Sequence, residues 1–544
     1  MSPGPVEDLK AGSRHLRGTL QEEAAGADPS FSKDAQALIK FHGLYQQKER
    51  GAKERPPVLM LRGRIPGGRL TAEQYLAWDA LADRYGDASL RLTTRQSIEL
   101  HGVLKGDLKP ALLGLARALQ TTKGACGDVV RTVTQAPNPW LRPDLAQLDP
   151  VVDRLASHFQ AVSNAYAEIW LDGEQVNPEQ ERERVFGAAY LPRKFKMAVT
   201  VAGENLVDVY TNDLGLAASF GADGILDGFF VFAGGGLGMT HGDDTTFPRA
   251  ADLVGWAPAA AVLAVAEGVV GIHRDFGNRE DRKHARLKYV IAQRGLPWFR
   301  AELEGRAGLA FQDRPLPPWR TSPVHGWFDR ADGTLALGLC IGSGRVRGAL
   351  KEAVRAVAER FRPGFQLSPD QDLVLLGLAP EHREAVAGLF RSAGQPLLPR
   401  DPLEARALAC VALPLCGLAL TEAERSMPDY VGMVRTAMAR HGHAGKPLVF
   451  RVTGCPNGCA RPYTAELALV GQSVSTYKLF AGGDPEGARI GFPVVEKLTV
   501  AALPGALDRL FEAWAGSGGP GEPFGDFAAR LGGAALSELI NRTA

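Results

Sequence analysis

Cysteine is scarce in this chain, with six in 544 residues, and four of the six fall between positions 410 and 459. That crowding is unlike a disulfide framework spread along a secreted protein, and it fits a reducing cytoplasm with one local thiolate site. An excess of charge of one sign is also missing: 62 Lys and Arg face 61 Asp and Glu, a formal net charge of +1. No global field draws the protein toward nucleic acid or an anionic membrane, so any anion chemistry has to come from a local basic cluster. Long apolar runs are absent as well. The longest nearly uninterrupted one, around Ala257 to Ala266, contains Pro258 and stops at Glu267. The opening MSPGPVEDLK has neither a basic start nor an apolar stretch. The expectation is a cytoplasmic protein with no membrane partner and no nucleic-acid partner.

What is present is an ordinary globular composition, 45% apolar and 23% charged. The length exceeds what one hydrophobic core supports and predicts three or four domain-sized units. Residues 1 to about 50 carry glycines and Pro29 with one short helical stretch, Asp34 to Phe41, and read as an extended arm. From Pro56 onward short strands alternate with helices such as Ala72 to Tyr85.

Internal similarity organises the rest. LRLTTRQSIELHGV at 90 to 103 aligns without gaps on FQLSPDQDLVLLGL at 365 to 378, so that Leu92, Gln96 and Gly102 recur as Leu367, Gln371 and Gly377. A second echo, GFFVFAGGGLG at 228 to 238 against YKLFAGGDPEG at 477 to 487, follows in the same order. The fold expected is α+β and internally duplicated. An arm at 1–50 precedes two ferredoxin-like small modules at 51–138 and 318–398 and two larger α/β modules at 139–317 and 399–544.

The second large module holds Cys410 and Cys416, six apart, and Cys455 and Cys459, four apart in TGCPNGCARP. Four thiolates can enclose one metal centre, and pairs spaced this widely suit a 4Fe-4S cluster better than the Cys-x2-Cys knuckles of zinc. Buried structural thiols, two disulfides and a tetrahedral zinc site compete on spacing alone. Under the zinc reading the chain would be a non-catalytic interaction protein. Cys126 and Cys340, far away in sequence, read as small buried hydrophobes.

Cys-x5-Cys followed by TGCPNGC resembles the siroheme-dependent sulfite and nitrite reductases. The resemblance runs through LRGTL at 16 to 20, KFHGLYQQ at 40 to 47, AYAEIWLDGE at 165 to 174 and FGDF at 524 to 527. It implies siroheme and a 4Fe-4S cluster as cofactors, with Cys459 shared between the cluster and the siroheme iron. It implies the six-electron reduction of sulfite to sulfide, with nitrite as the alternative substrate. Arg62, Arg131, Lys194 and Lys196 match the family's anion pocket, and Arg91, Arg95 and His101 match positions around the siroheme. Lys194 and Lys196 lie two apart in a strand-like segment and share a face, with Arg193 opposite. The glycine loops 234 to 236 and 482 to 483 are further candidates for contact with siroheme carboxylates, whereas the mixed-charge run REDRKHARLK at 279 to 288 reads as a solvated helix face, with some of it within reach of the macrocycle and no residue singled out. No segment is left over for flavin or nicotinamide, so the electrons come from a partner, a flavoprotein reductase subunit or ferredoxin.

Overall fold

The computed structural model describes residues 4–48, 56–163, 165, 170–171, 174–175 and 183–541. Most of the AYAEIWLDGE segment and the expected start of the first small module, at 51, lie outside them.

The N-terminal segment is not an extended arm. Three short helices, Pro5–Ala11, Leu20–Ala25 and Lys33–Leu38, fold against the body. The Ser32 hydroxyl caps the third by accepting from the Ala35 amide at 3.2 Å. Leu16, Leu20, Phe31, Leu38 and Ile39 are buried in the main core, and Lys10 reaches inward to donate to the Leu191 carbonyl at 2.8 Å. Apolar residues in short groups between glycines drive this docking, a pattern too brief to show helical periodicity.

The two small modules are antiparallel sheets that exchange an edge strand. One sheet runs Leu44–Gln47, Val58–Arg62, Ile98–Val103, Leu90–Leu92 and then Arg345–Val346, which comes from the second repeat. The other runs Gly326–Asp329, Leu335–Leu339, Leu373–Leu378, Gly364–Leu367 and then Arg69–Leu70, which comes from the first. The exchange is nearly symmetric down to single atoms. Gly68 (φ 71°) and Gly344 (φ 71°) each precede the exchanged strand. A Cβ at Gly68 would fall 2.6 Å from the Leu367 carbonyl oxygen, and one at Gly344 would fall 2.4 Å from that of Leu92. Gln96 and Gln371, aligned in sequence, both adopt positive φ, 49° and 71°, and both turn their amides onto backbone carbonyls across the junction: Gln96 onto Leu367 at 2.7 Å, Gln371 onto Ala409 at 3.0 Å.

The two large modules repeat one topology. Thr134–Gln135, Met197–Val201 and Leu214–Phe220 are parallel neighbours, continued by the antiparallel strands Leu226–Ala233 and Asp252–Pro258. Leu408–Ala409, Phe450–Thr453 and Leu467–Ser473 are likewise parallel, continued by Thr476–Ala481 and Phe492–Thr499. The second echo seen in sequence thus falls on equivalent antiparallel strands. Residues 403–540 have an apolar core of their own, while the first large module shares a core with both small ones. Among the described residues no helix is long and apolar enough to cross a membrane.

The close approach at the exchanged strands gives the first expected outcome. Gly344→Ala places a Cβ against the Leu92 carbonyl and forces an L-residue into the left-handed region, so denaturant unfolding will show a loss of about 1–3 kcal/mol. The same change at Gly342, where a Cβ meets no atom within 4 Å, will be much milder.

Candidate active site: four cysteines beside a basic cleft

The cysteines leave the carboxyl ends of two adjacent parallel strands, the usual place for a ligand site in such sheets. Cys410 follows Leu408–Ala409 directly, and its amide donates to Val452 O at 3.2 Å in the neighbouring strand. Gly454 follows Phe450–Thr453 and donates its amide to Cys410 Sγ at 3.2 Å, while its carbonyl accepts from Leu420 N at 2.7 Å. One glycine thereby ties both cysteine loops together. Asn457 Nδ2 lies 3.4 Å from Cys455 Sγ, and Cys416 N donates to Ala412 O at 2.8 Å.

All four thiols are free of disulfides. Burial, and next the neighbouring Cys459 sulfur, push the thiols of Cys410 and Cys416 up, and they push Cys455 up to about 11. Cys459 is therefore the neighbour common to the other three. Such thiols ionise when a strongly cationic centre is at hand. The spread of the donors separates the candidate centres. A tetrahedral zinc ion holds thiolate sulfurs about 3.8 Å apart, from Zn–S bonds of about 2.3 Å. Among the described residues no three of these sulfurs lie within 4.8 Å of one another. The set is too open for one ion, and its donor chemistry fits a four-iron cluster.

Cys459 differs from the other three in being exposed, and it opens onto a cleft lined by Arg95, Lys194, Lys196, Arg286 and Arg461. Among the described residues no carboxylate lines that cleft. The cations come from several elements. Phe195 is buried between Lys194 and Lys196 and is pinned by backbone bonds on both sides, Phe195 N to Val129 O at 3.1 Å and Arg131 N to Phe195 O at 2.9 Å. The alternation leaves both lysines on the cleft side, while Arg193 turns toward Asp128 at 4.0 Å. Burial lowers the pKa of Lys194, with Arg193 and Arg131 adding to it. For Lys196, burial and then Arg286 and Arg95 bring it down to about 7. Arg95 donates to Asn212 Oδ1, Thr132 O and Met197 O, each at 2.7 Å, and burial lowers it to about 9. The adjacent Thr94 hydroxyl donates to the Cys459 carbonyl at 3.1 Å.

Beneath the cleft, the buried Asp213 accepts from Lys196 N at 2.9 Å and from Arg286 at 2.7 Å. Arg286 also crosses the 234–236 loop, donating to Gly235 O at 3.2 Å, and Lys288 donates to Gly236 O and Gly238 O. The loop's carbonyls therefore hold these cations. The other glycine loop accepts Arg489 at Gly482 O, 2.7 Å. The basic run at 279–288 is not a solvated helix: helix begins only at Leu287, and Arg286 and Lys288 are both buried. Sequence reading missed Arg286, Arg461 and Asp213. The apolar residues Leu287, Tyr289 and Val290 that follow it were the signal available for the first, and the position of Arg461 two residues after Cys459 was the signal for the second.

The remaining expected residues stand back from the cleft. Arg62 donates Nε to Glu99 at 2.8 Å and NH1 to Cys126 Sγ at 3.1 Å, so Cys126 is more than core filling. Burial and then Cys126 raise the Tyr45 phenol to about 12. The His101 ring lies 3.3 Å from Glu99 and 3.4 Å from Gln47. Burial opposes the ionisation of Glu99, but Arg62, His101 and Arg91 together overcome it and hold the carboxylate well below its usual range. Arg131 donates to Gly127 O at 3.2 Å. Arg62 and Arg131 both act on Arg95 through space. Arg91 is engaged at all three guanidinium nitrogens, by Ser343 O, Glu424 and Ala409 O, and so ties the first repeat to the base of the Cys410 loop. That leaves it a structural tie and not a free cation facing a cofactor.

Known proteins resemble the chain throughout. Residues 52–118 match the nitrite/sulfite reductase ferredoxin-like half domain and residues 153–311 the nitrite and sulphite reductase 4Fe-4S domain. The sulfite reductase (NADPH) hemoprotein beta-component of Myxococcus xanthus is 44% identical over 97% of this chain and 96% of its own. The chain belongs to the nitrite and sulphite reductase family. The sulfite reductase (ferredoxin) of Synechococcus elongatus is 39% identical over 98% of this chain and 90% of its own. In fold, the NirA protein of Mycobacterium tuberculosis superposes with a TM-score of 0.80 over 98% of both chains at 22% identity. The segment matched to the 4Fe-4S domain contains no cysteine, because the four thiols lie in the second copy of that unit.

The two halves are locked beside the cleft by buried charge. Asp208 receives Arg451 at 2.9 Å and Arg461 at 2.9 Å, and Arg461 also binds Asp370 at 2.5 Å. Asp208→Ala takes one carboxylate from two buried guanidinium groups, leaving Arg461 with Asp370 and Arg451 with Thr464, and is expected to cost about 3 kcal/mol in denaturant unfolding. Replacement of the half-exposed Asp227, paired with Arg314, will cost less than about 1 kcal/mol.

Proposed function

We propose that this chain reduces sulfite to sulfide, using siroheme and a 4Fe-4S cluster that meet at Cys459. The observation that carries the reading is that, of the four grouped thiols, Cys459 alone lines the cleft, opposite five cationic side chains. Cys410, Cys416, Cys455 and Cys459 would hold the cluster, and the cleft side of Cys459 would face the siroheme. When bound, these groups supply the electrons and the metal site at which the oxyanion is reduced.

The chain's own residues do the rest. Lys194, Lys196 and Arg286 attract a small oxyanion and polarise its departing oxygens, and Arg95 and Arg461 extend the positive surface along the cleft. Lys196 is suited to proton transfer, since with a pKa near 7 it both holds and releases a proton near neutral pH. Arg62 and Arg131 support the cationic field from behind, and His101 with Glu99 fixes Arg62. Electrons arrive from a protein donor. The relatives' names carry two kinds, NADPH-linked and ferredoxin, and the first matches the relative of higher identity. A flavoprotein subunit is the donor this reading favours, in the cytoplasm.

The holoenzyme, given an artificial one-electron donor, is expected to convert sulfite to sulfide with kcat/KM above that for nitrite. Cys459→Ser is expected to lower it about a hundredfold or more, which is ~2.7 kcal/mol of transition-state stabilisation. Ammonia from nitrite as the dominant product, or full activity in the serine variant, would overturn the reading.

A second outcome concerns pH. A lysine with a pKa near 7 is cationic below that value and neutral above it, so anion affinity is expected to fall as pH rises through about 7. Lys196→Arg keeps its charge and should shift that fall to higher pH. Nitrite as the probe anion keeps titration of the substrate out of the comparison. Identical profiles for the two proteins would remove Lys196 from anion binding.

A further inference from the structure

Away from the cleft, three residues that could ligate a metal converge at one end of the second small sheet. His325 immediately precedes the strand Gly326–Asp329, Cys340 immediately follows Leu335–Leu339, and Asp372 immediately precedes Leu373–Leu378. These three strands are antiparallel neighbours in that order, with Leu339 paired to Leu373. The topology thus brings all three residues to the same edge. One imidazole nitrogen, the Cys340 sulfur and one Asp372 oxygen lie within 4.8 Å of one another. We propose that His325, Cys340 and Asp372 form a binding site for a divalent ion of the zinc class, independent of the cluster and the basic cleft.

Several independent observations point to a ligand there. The His325 ring is 7% exposed and Asp372 is 4% exposed, yet His325 Nδ1 has no hydrogen-bond partner among the described residues while its Nε2 lies 2.9 Å from Asp372 Oδ2. A buried ring nitrogen without a partner is costly unless something fills its lone pair or takes its proton. The Asp372 carboxylate is already oriented, since Oδ1 accepts the Ile341 amide at 3.0 Å. The Cys340 thiol has only a long contact, 3.9 Å, to Glu404 O, and its own carbonyl is fixed by Gln395 at 3.0 Å. Burial, and next Asp372, push the Cys340 thiol up, so the site gathers two acids around the one imidazole of His325, and a divalent cation would ionise both acids together. The partner repeat has diverged: the residue aligned with Asp372 is Ser97, whose hydroxyl is bonded to the Gly63 carbonyl.

The donor set, one nitrogen, one sulfur and one oxygen, suits zinc, and Cys340 is half-exposed, which leaves a route for water as a fourth ligand. The site lies beside a structural joint of the functional half. Asp370, two residues before Asp372, holds Arg461, and Gln371 holds the Ala409 carbonyl next to Cys410. A bound ion would stiffen the turn from which both contacts are made.

The test is zinc binding to the holoenzyme, followed by calorimetry after dialysis against a weak chelator and by X-ray absorption at the zinc edge. The expected result is one zinc per chain with a single sulfur in its shell. Cys340→Ser and Asp372→Asn are expected to bind at least about tenfold more weakly, the smaller of the losses seen even for residues that only support a ligand. Cys126→Ser is expected to bind zinc as wild type does. Both test variants are close to isosteric, and zinc should raise the melting temperature of wild type but not theirs. A four-sulfur shell would assign the ion to the grouped cysteines and overturn the proposal. So would unchanged affinity in Cys340→Ser, or no zinc retained by wild type above the level of the Cys340→Ser, Asp372→Asn double variant.

Discussion

The interaction on which the functional half depends is the meeting of a thiol and a cationic surface at Cys459. Three of the grouped cysteines are packed into the ends of their sheet, where burial opposes ionisation, and the fourth stands at the edge of a cleft lined, among the described residues, by five cations and no carboxylate. Neither side is at rest by itself. The thiols favour a cationic centre and the cleft favours anions, and the two demands are placed back to back across one side chain. A polyanionic cofactor on one side and an iron-sulfur centre on the other satisfy both.

Duplication supplies the frame for this junction. The cations enter at the amino ends of parallel strands in the first large module, where Arg131, Lys194 and Lys196 precede Thr134–Gln135 and Met197–Val201, and Asp213, the carboxylate beneath them, precedes Leu214–Phe220. The thiols leave the carboxyl ends of the matching strands in the second. Exchange of edge strands between the small modules and the Asp208–Arg461–Asp370 network keep the two copies in fixed register. The first copy supplies the lysines and Arg286, and the second supplies the four thiols with Arg461 beside them.

Much of this could be read from the sequence where the signal is local. Cysteine spacing, the Lys194–Phe195–Lys196 alternation and the matched Gln96 and Gln371 turns each occupy a few residues and survive into the fold unchanged. Features that depend on distant partners were not readable. Arg286 sits in a run of mixed charge that looks solvated, and its burial rests on the carboxylate of Asp213, 73 residues away, and the carbonyl of Gly235, 51 away. The exchanged strands are two residues long, too short to carry a period. Cys126 looked inert because its partners, Arg62 and Tyr45, come from strands remote in sequence. The opening segment was misread as extended because its helices are brief and separated by glycine.

The central claim is that one sulfur joins two metal centres, and Mössbauer spectroscopy of the iron-57 holoenzyme tests it most directly. Magnetic coupling between the siroheme iron and the cluster in wild type, lost in Cys459→Ser, is the result this account predicts. Two magnetically independent centres in wild type, or a protein that binds neither, would contradict it.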